Sequence, residues 1–197
     1  MSDQFDMFGG GAAEQKEPAR EAWPEGFDYR AELITDAEER ALVERFADLP
    51  FKEFEFHGYT GKRRTVSFGR RYDFADERLH EATEIPDFLL PLRDAAAAFA
   101  ALAPERLRHA LVTEYAPGAG IGWHRDKAVF DEVVGVSLVA PCRFRLRRHR
   151  ADAWERVTVL AQPRSAYLLR GPARTEWEHS IPPVEALRYS VTFRNLR

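Results

Sequence analysis

The chain holds one cysteine, Cys142, in 197 residues. No internal disulfide can form, and the expected compartment is a reducing cytoplasm. No apolar run approaches the roughly 20 residues that cross a bilayer, and nothing near the start reads as a signal peptide, so no membrane partner is expected. Charge of one sign is not in excess either: the formal net charge is -3, and bulk basicity does not announce a polyanion binder. No internal repeat and no linker interrupt the body. The expectation is a monomer with one domain over 21–197 behind a flexible tail, 1–20. The composition, 45% hydrophobic and 31% charged, suits one domain with a core of its own.

The charge that is present is unevenly placed. Residues 1–24 carry five acids and two bases, a balance of -3 that leaves the rest of the chain neutral. Within that neutral body stand two basic clusters, GKRRTVSFGRRY at 61–72 and CRFRLRRHR at 142–150. Arginine and lysine gathered on one surface can follow a phosphate backbone. Taken alone, each cluster is equally a solvated charged face.

Residues 35–49 read as a helix, with Thr35 or Asp36 as its cap and Leu42, Val43 and Phe46 as its apolar stripe, ended by Pro50. The alanine-rich run from Pro91 to Leu102 reads as a second helix. From about residue 110 the texture changes to short β-branched and aromatic stretches between turn signals, the pattern of a sandwich, jelly roll or barrel.

The sharpest local feature is GWHRD at 122–126. On an extended segment, residues two apart face the same way, so His124 and Asp126 converge. Two ligands hold a metal poorly; the best third is His179, in TEWEHSIPP. Two histidines and a carboxylate make a facial triad with open positions, a set suited to non-haem Fe(II) and oxygen chemistry. His57, His80, His109 and His149 lack an acid at this spacing and read as structural. The final strand, LRYSVTFR at 187–194, alternates: Arg188, Ser190, Thr192 and Arg194 share one face, and Leu187, Tyr189, Val191 and Phe193 the other. Two arginines facing an interior need anions, and a dicarboxylic acid offers one at each end. An exposed strand face also explains the arginines, though not their position after the third ligand.

The ordered set TEY at 113–115, PGAGIGWHRD at 117–126, RTEWEHSI at 174–181 and RYSVTFR at 188–194 resembles the AlkB-type branch of the Fe(II)- and 2-oxoglutarate-dependent dioxygenases. The resemblance runs from about residue 63 to the C-terminus. It implies a mainly β fold with flanking helices (α+β), the double-stranded β-helix or jelly roll. It implies Fe(II) held by His124, Asp126 and His179, with 2-oxoglutarate and O2 as cosubstrates. Arg188, helped by Tyr115, would hold the distal carboxylate of 2-oxoglutarate, and Arg194 the carboxylate beside the keto group. The family usually has asparagine where this chain has Thr113, and often where it has Ser190; both hydroxyls still hydrogen-bond, with shorter reach.

The segment over about 57–76 resembles the family's substrate lid. Its aromatics, of which Tyr72 and Phe74 match best, suit stacking on an extruded base, and Arg63 and Arg64 suit phosphate; the aromatics fit a core equally. The implied reaction is oxidative demethylation of an N-alkylated nucleobase, DNA favoured and RNA allowed, with release of formaldehyde, succinate and CO2. One departure bears on the substrate. DNA-repair members carry an acid two positions after the metal aspartate, and this chain has Ala128. The same chemistry on RNA, a protein side chain or a metabolite is the alternative, with a non-catalytic jelly-roll binding module behind it. QFDMF, residues Gln4, Phe5, Asp6, Met7 and Phe8, resembles the peptide by which bacterial DNA-processing proteins hook onto the replication sliding clamp, and GGG with a polar run behind it would serve as a tether.

Overall fold

The computed structural model describes residues 23–56, 59–72, 79–81 and 83–197, with side chains except those of 54–61 and 70–81. The tail, with Gln4–Phe8, and the aromatic Phe74 lie outside the described residues; Tyr72 is described in its backbone alone. In chain order the elements are β1 (Phe27–Arg30), α1 (Asp36–Phe46), β2 (Lys52–Phe56), β3 (Tyr59–Tyr72), β4 (Leu79–Glu81), α2 (Leu90–Ala100), β5 (His109–Tyr115), β6 (Ile121–His124), β7 (Phe130–Leu138), β8 (Cys142–Arg150), β9 (Ala153–Ala161), β10 (Ala166–Leu169), α3 (Gly171–Thr175), β11 (Glu178–Ile181) and β12 (Arg188–Leu196).

Both expected helices form, for the expected reasons. Thr35 caps α1 in a reciprocal box: its Oγ1 accepts from the Glu38 amide at 3.3 Å, and Glu38 Oε2 accepts from the Thr35 amide at 2.7 Å. The helix closes at Ala47, three residues before Pro50. In α2 a proline sits in the first turn, and Ala101 in the left-handed region, φ 55°, ends it.

The strands build two antiparallel sheets. The major sheet runs β1-β10-β7-β12-β5-β3-β2, with β4 on β3, and the minor sheet runs β6-β11-β8-β9. One face of the major sheet packs on α1 and α2 through Val112, Val134, Val136, Val191 and Phe193, among others. A second core, with Phe144, Leu146, Tyr167 and Trp177, fills the space between the sheets. This is the jelly-roll arrangement. The alternation of β12 now has a physical meaning. Tyr189, Val191 and Phe193 face the helical layer, while Ser190, Thr192 and Arg194 face the cavity between the sheets.

Strands also form before residue 110, where the sequence reading named none: β1 to β4 precede it. The segment resembling a lid is also a sheet strand along much of its length, because β3 pairs with β5 from Arg63↔Tyr115 to Gly69↔His109. Its one lysine, its arginines and its glycines hide the strand pattern. Backbone pairing on both sides holds it; among its described side chains only Phe68 is fully buried, with Val66 packed against the same core.

Candidate active site

Pairing of β6 with β11 sets His124 directly opposite His179, with ring centroids 4.2 Å apart. Asp126, just beyond β6, turns back so that Oδ2 lies 3.7 Å from His179 Nε2. The pair singled out by spacing and the histidine named as their third partner therefore meet between the sheets. His124 Nδ1 donates to the Gly122 carbonyl at 2.9 Å, which leaves the Nε2 lone pair free. Burial, reinforced by His124, brings the His179 pKa down to about 3, and burial likewise lowers that of His124. Both imidazoles are neutral near pH 7, the state that ligates. Burial would raise the Asp126 pKa, but Arg194 and the surrounding cations outweigh it and hold the carboxyl below its usual range.

Two neutral imidazoles and a carboxylate fit a divalent iron. Among the described residues no three His, Cys, Asp or Glu side chains close into a finished cluster, and Arg194 holds one carboxylate oxygen of Asp126. Its Nε and Nη2 reach Asp126 Oδ1 at 2.9 and 2.8 Å. On the other side, Arg194 Nη1 donates to His109 Nδ1 at 3.3 Å. Burial, then Arg194, lowers the His109 pKa to about 3, so this ring stays a neutral acceptor. His109 belongs to the support of the site, which no spacing rule disclosed; the signal was strand register, since it pairs with Arg194 across β5 and β12.

A ladder of rings holds His179. Tyr167 stacks on Phe144 with centroids 4.1 Å apart, and Phe144 on His179 at 5.4 Å. Tyr167 lies across Gly135, where a Cβ would come within 2.2 Å of the phenol ring. Arg174, on α3, donates to the carbonyls of Lys127 and, at 3.0 Å, Phe130. It thereby ties the loop after Asp126 to the segment leading into His179, a strut that sequence spacing did not reveal.

Arg188 is fully buried (0% exposed). Its Nε donates to Ser137 Oγ at 3.2 Å, and its guanidinium lies 4.9 Å over the Tyr115 ring. Both terminal nitrogens lack a hydrogen-bond partner among the described residues. A buried guanidinium with two empty donors is costly unless an anion completes it. That orphaned pair fits a carboxylate of 2-oxoglutarate. Thr113, Tyr115, Ser190 and Arg194 line a cavity, partly open to solvent, whose wall also carries His124, Asp126 and His179. Arg188 itself stands behind Tyr115 rather than on the cavity wall.

The neighbouring arginines Arg63 and Arg64 of β3 separate. Arg63 lines the cavity and donates to the Gly120 carbonyl at 3.4 Å. Arg64, one residue on, faces away and forms a two-pronged pair with Glu114 at 2.8 Å on each side. It is not brought to the site. Ala128 is exposed, and the nearby Asp131 stands 3.9 Å from Arg197.

The profile of the 2OG-Fe(II) oxygenase superfamily matches residues 22–194. The "Alkylated DNA repair protein ALKBH8 homolog" of Arabidopsis thaliana is 28% identical over 177 residues, covering 77% of this chain and 49% of the relative. The "Uncharacterized protein L905" of Acanthamoeba polyphaga mimivirus is 29% identical over 99 residues, covering 44% of this chain and 47% of the relative. The chain thus spans about half the length of these curated relatives. Among solved structures, that of OsALKBH1 superposes with a TM-score of 0.67 at 17% identity, covering 86% of this chain and 96% of the other. A Pseudomonas putida prolyl-4-hydroxylase superposes with a TM-score of 0.57 at 16% identity, covering 87% and 93%. At these identities the structural likeness concerns the fold.

Proposed function

The chain belongs to the 2OG-Fe(II) oxygenase superfamily, and on that premise we propose that it oxidatively demethylates N-alkylated nucleobases, in DNA by preference over RNA. The enzyme class carries Fe(II), 2-oxoglutarate and O2 with it. When bound, iron and 2-oxoglutarate activate O2 to hydroxylate a C–H bond, with 2-oxoglutarate converted to succinate and CO2. On an N-methyl group the hydroxylated carbon is a hemiaminal, which loses formaldehyde and restores the base.

The residues of this chain bind and orient. His124, Asp126 and His179 would hold the iron, the histidines as neutral Nε2 donors and Asp126 through the oxygen that Arg194 leaves free. Arg188 would take the distal carboxylate of 2-oxoglutarate on its two empty nitrogens, aided by Tyr115, Thr113 and Ser190. Arg194 would take the other carboxylate while keeping Asp126 in place.

The observation that carries the nucleobase reading is Arg63 on the wall of the cavity that holds His124. A cation there suits the phosphate of a nucleotide whose base enters the cavity. The likeness to the Arabidopsis relative, whose name includes alkylated DNA repair, supports it. Ala128 favours the second reading, the same chemistry on RNA, a protein side chain or a metabolite. The test is anaerobic reconstitution with Fe(II) and 2-oxoglutarate, then exposure to O2 and methylated DNA and RNA oligonucleotides. Formaldehyde and a mass loss of one methylene on DNA are expected. Turnover of 2-oxoglutarate with every oligonucleotide unchanged would overturn the reading.

A further inference from the structure

The inner face of the minor sheet carries His124 and His179. The outer face carries something else. Along β8, Phe144 and Leu146 point inward, so Arg143, Arg145 and Arg147 point outward. Pairing sets Thr158 and Arg156 of β9 beside Arg145 and Arg147, and Ser180 and Glu178 of β11 beside them on the other side. Trp123 of β6 joins them, one residue before His124.

These side chains form alternating layers. The Arg145 guanidinium lies 4.9 Å from the Trp123 ring, and that of Arg147 lies between Trp123 at 4.3 Å and Trp154 at 4.4 Å. Arg156 follows at 6.0 Å from Trp154. Four arginines share the face with one acid, Glu178, which accepts from Arg147 Nε at 2.7 Å. Arg145 Nε is held by Ser180 Oγ at 3.1 Å. Arg143, Arg145 and Arg156 have no acidic partner among the described residues. Trp154 is 39% exposed and Leu160, opposite Arg143, is 52% exposed.

We propose that this outer face is a docking platform for single-stranded nucleic acid, holding the stretch of strand that flanks the substrate nucleotide. The proposal rests on the nucleic-acid reading above for the identity of that strand. Three features select this occupant. The surplus of arginine calls for a polyanion. Successive outward arginines on one strand stand about 6.6–6.8 Å apart, close to the spacing of phosphates along an extended single strand. Trp154, 39% exposed, and the guanidinium planes beside it offer stacking surfaces that unpaired bases can use and a duplex or an acidic peptide cannot. Trp123 places one end of the platform on the strand that carries His124, so a strand leaving the cavity reaches it around the β6 edge.

The test measures binding of the full chain to a fluorescent oligothymidylate 20-mer and to a trinucleotide across a salt series. Two variants are compared with wild type: the double change Arg143→Glu with Arg156→Glu, and Trp154→Ala, each checked for an unchanged melting temperature. The 20-mer should bind wild type at least 10-fold more tightly than the trinucleotide. The double variant should lose that advantage, and its log K against log salt slope should fall by about 1.4, near 0.7 for each lost phosphate contact. Trp154→Ala should lose about 5-fold or more with its slope unchanged. The trinucleotide, which reports the cavity alone, should bind all three proteins equally. Equal affinity of wild type for both lengths, or a double variant that still binds the 20-mer like wild type, would overturn the platform. So would polyglutamate displacing the 20-mer at equal charge, which would assign the face to an acidic protein. A platform that behaves as expected, in a protein that demethylates no oligonucleotide, would instead count against the proposed reaction alone.

Discussion

Arg194 and Asp126 meet at a single oxygen: Nε at 2.9 Å and Nη2 at 2.8 Å both reach Oδ1. The other oxygen, Oδ2, is turned to His179. One arginine thus decides which half of the carboxylate faces the metal position, and His109 behind it decides where the arginine lies.

Asp126→Asn keeps the shape and removes the charge. Metal affinity should fall by orders of magnitude, measured with Mn(II) as an oxygen-stable probe. Stability should fall as well, by about 3–5 kcal/mol, because Arg194 is left as an unpaired buried cation. A variant with wild-type Mn(II) affinity would remove Asp126 from the ligand set.

Arg188→Met should act in opposite directions on stability and on binding. It fills a similar volume and removes a fully buried guanidinium with two empty donors. The protein free of 2-oxoglutarate should melt at a higher temperature, while 2-oxoglutarate affinity falls at least 100-fold. Thermal melts with and without 2-oxoglutarate, in Mn(II), give both values. Cosubstrate affinity that survives the change would mean that another residue holds the distal carboxylate.

Gly135→Ala places a methyl group 2.2 Å from the Tyr167 ring. Tyr167 must move, and Phe144 and His179 are stacked behind it. The expected cost is about 1–3 kcal/mol of stability, with weaker metal binding. Pairing it with Tyr167→Phe should not restore either value, since the ring and not only the hydroxyl collides. Full metal affinity in Gly135→Ala would show that the ring ladder does not position His179.

His109 and His179 have folded-state pKa values near 3, against an ordinary value of 6.5. Between those values the unfolded chain takes up protons that the folded protein refuses. Stability is therefore full above pH 6.5 and declines as pH falls toward 3. From pH 6.5 to 5 the histidines dominate the decline, because ordinary carboxylates titrate lower. Urea midpoints of metal-free protein at the two pH values should show it. His109→Asn should have a shallower decline. An equal slope in variant and wild type would mean that His109 is not held neutral.

Much of this protein was legible before any coordinates. The cap at Thr35, the alanine run of α2 and the alternation of β12 are local patterns, and local patterns survive because backbone geometry imposes their period. His124 and Asp126 were legible for the same reason: a spacing of two on an extended segment needs no tertiary information. The alternation also put Arg188 and Arg194 on one face of the last strand, though by itself it left open whether that face was interior or exposed.

What the tertiary structure decided depends on register between distant strands. His109 looked structural until β5 paired with β12 and set it against Arg194. Arg63 and Arg64 looked alike until β3 joined the sheet and the pleat sent one to the cavity and the other to Glu114. Arg174, Gly135 and the Trp123–Arg147–Trp154 stack belong to segments far apart in sequence, and no period along one chain encodes them. Sequence determines which side of its own strand a residue takes; only packing of one strand against another determines what waits on that side.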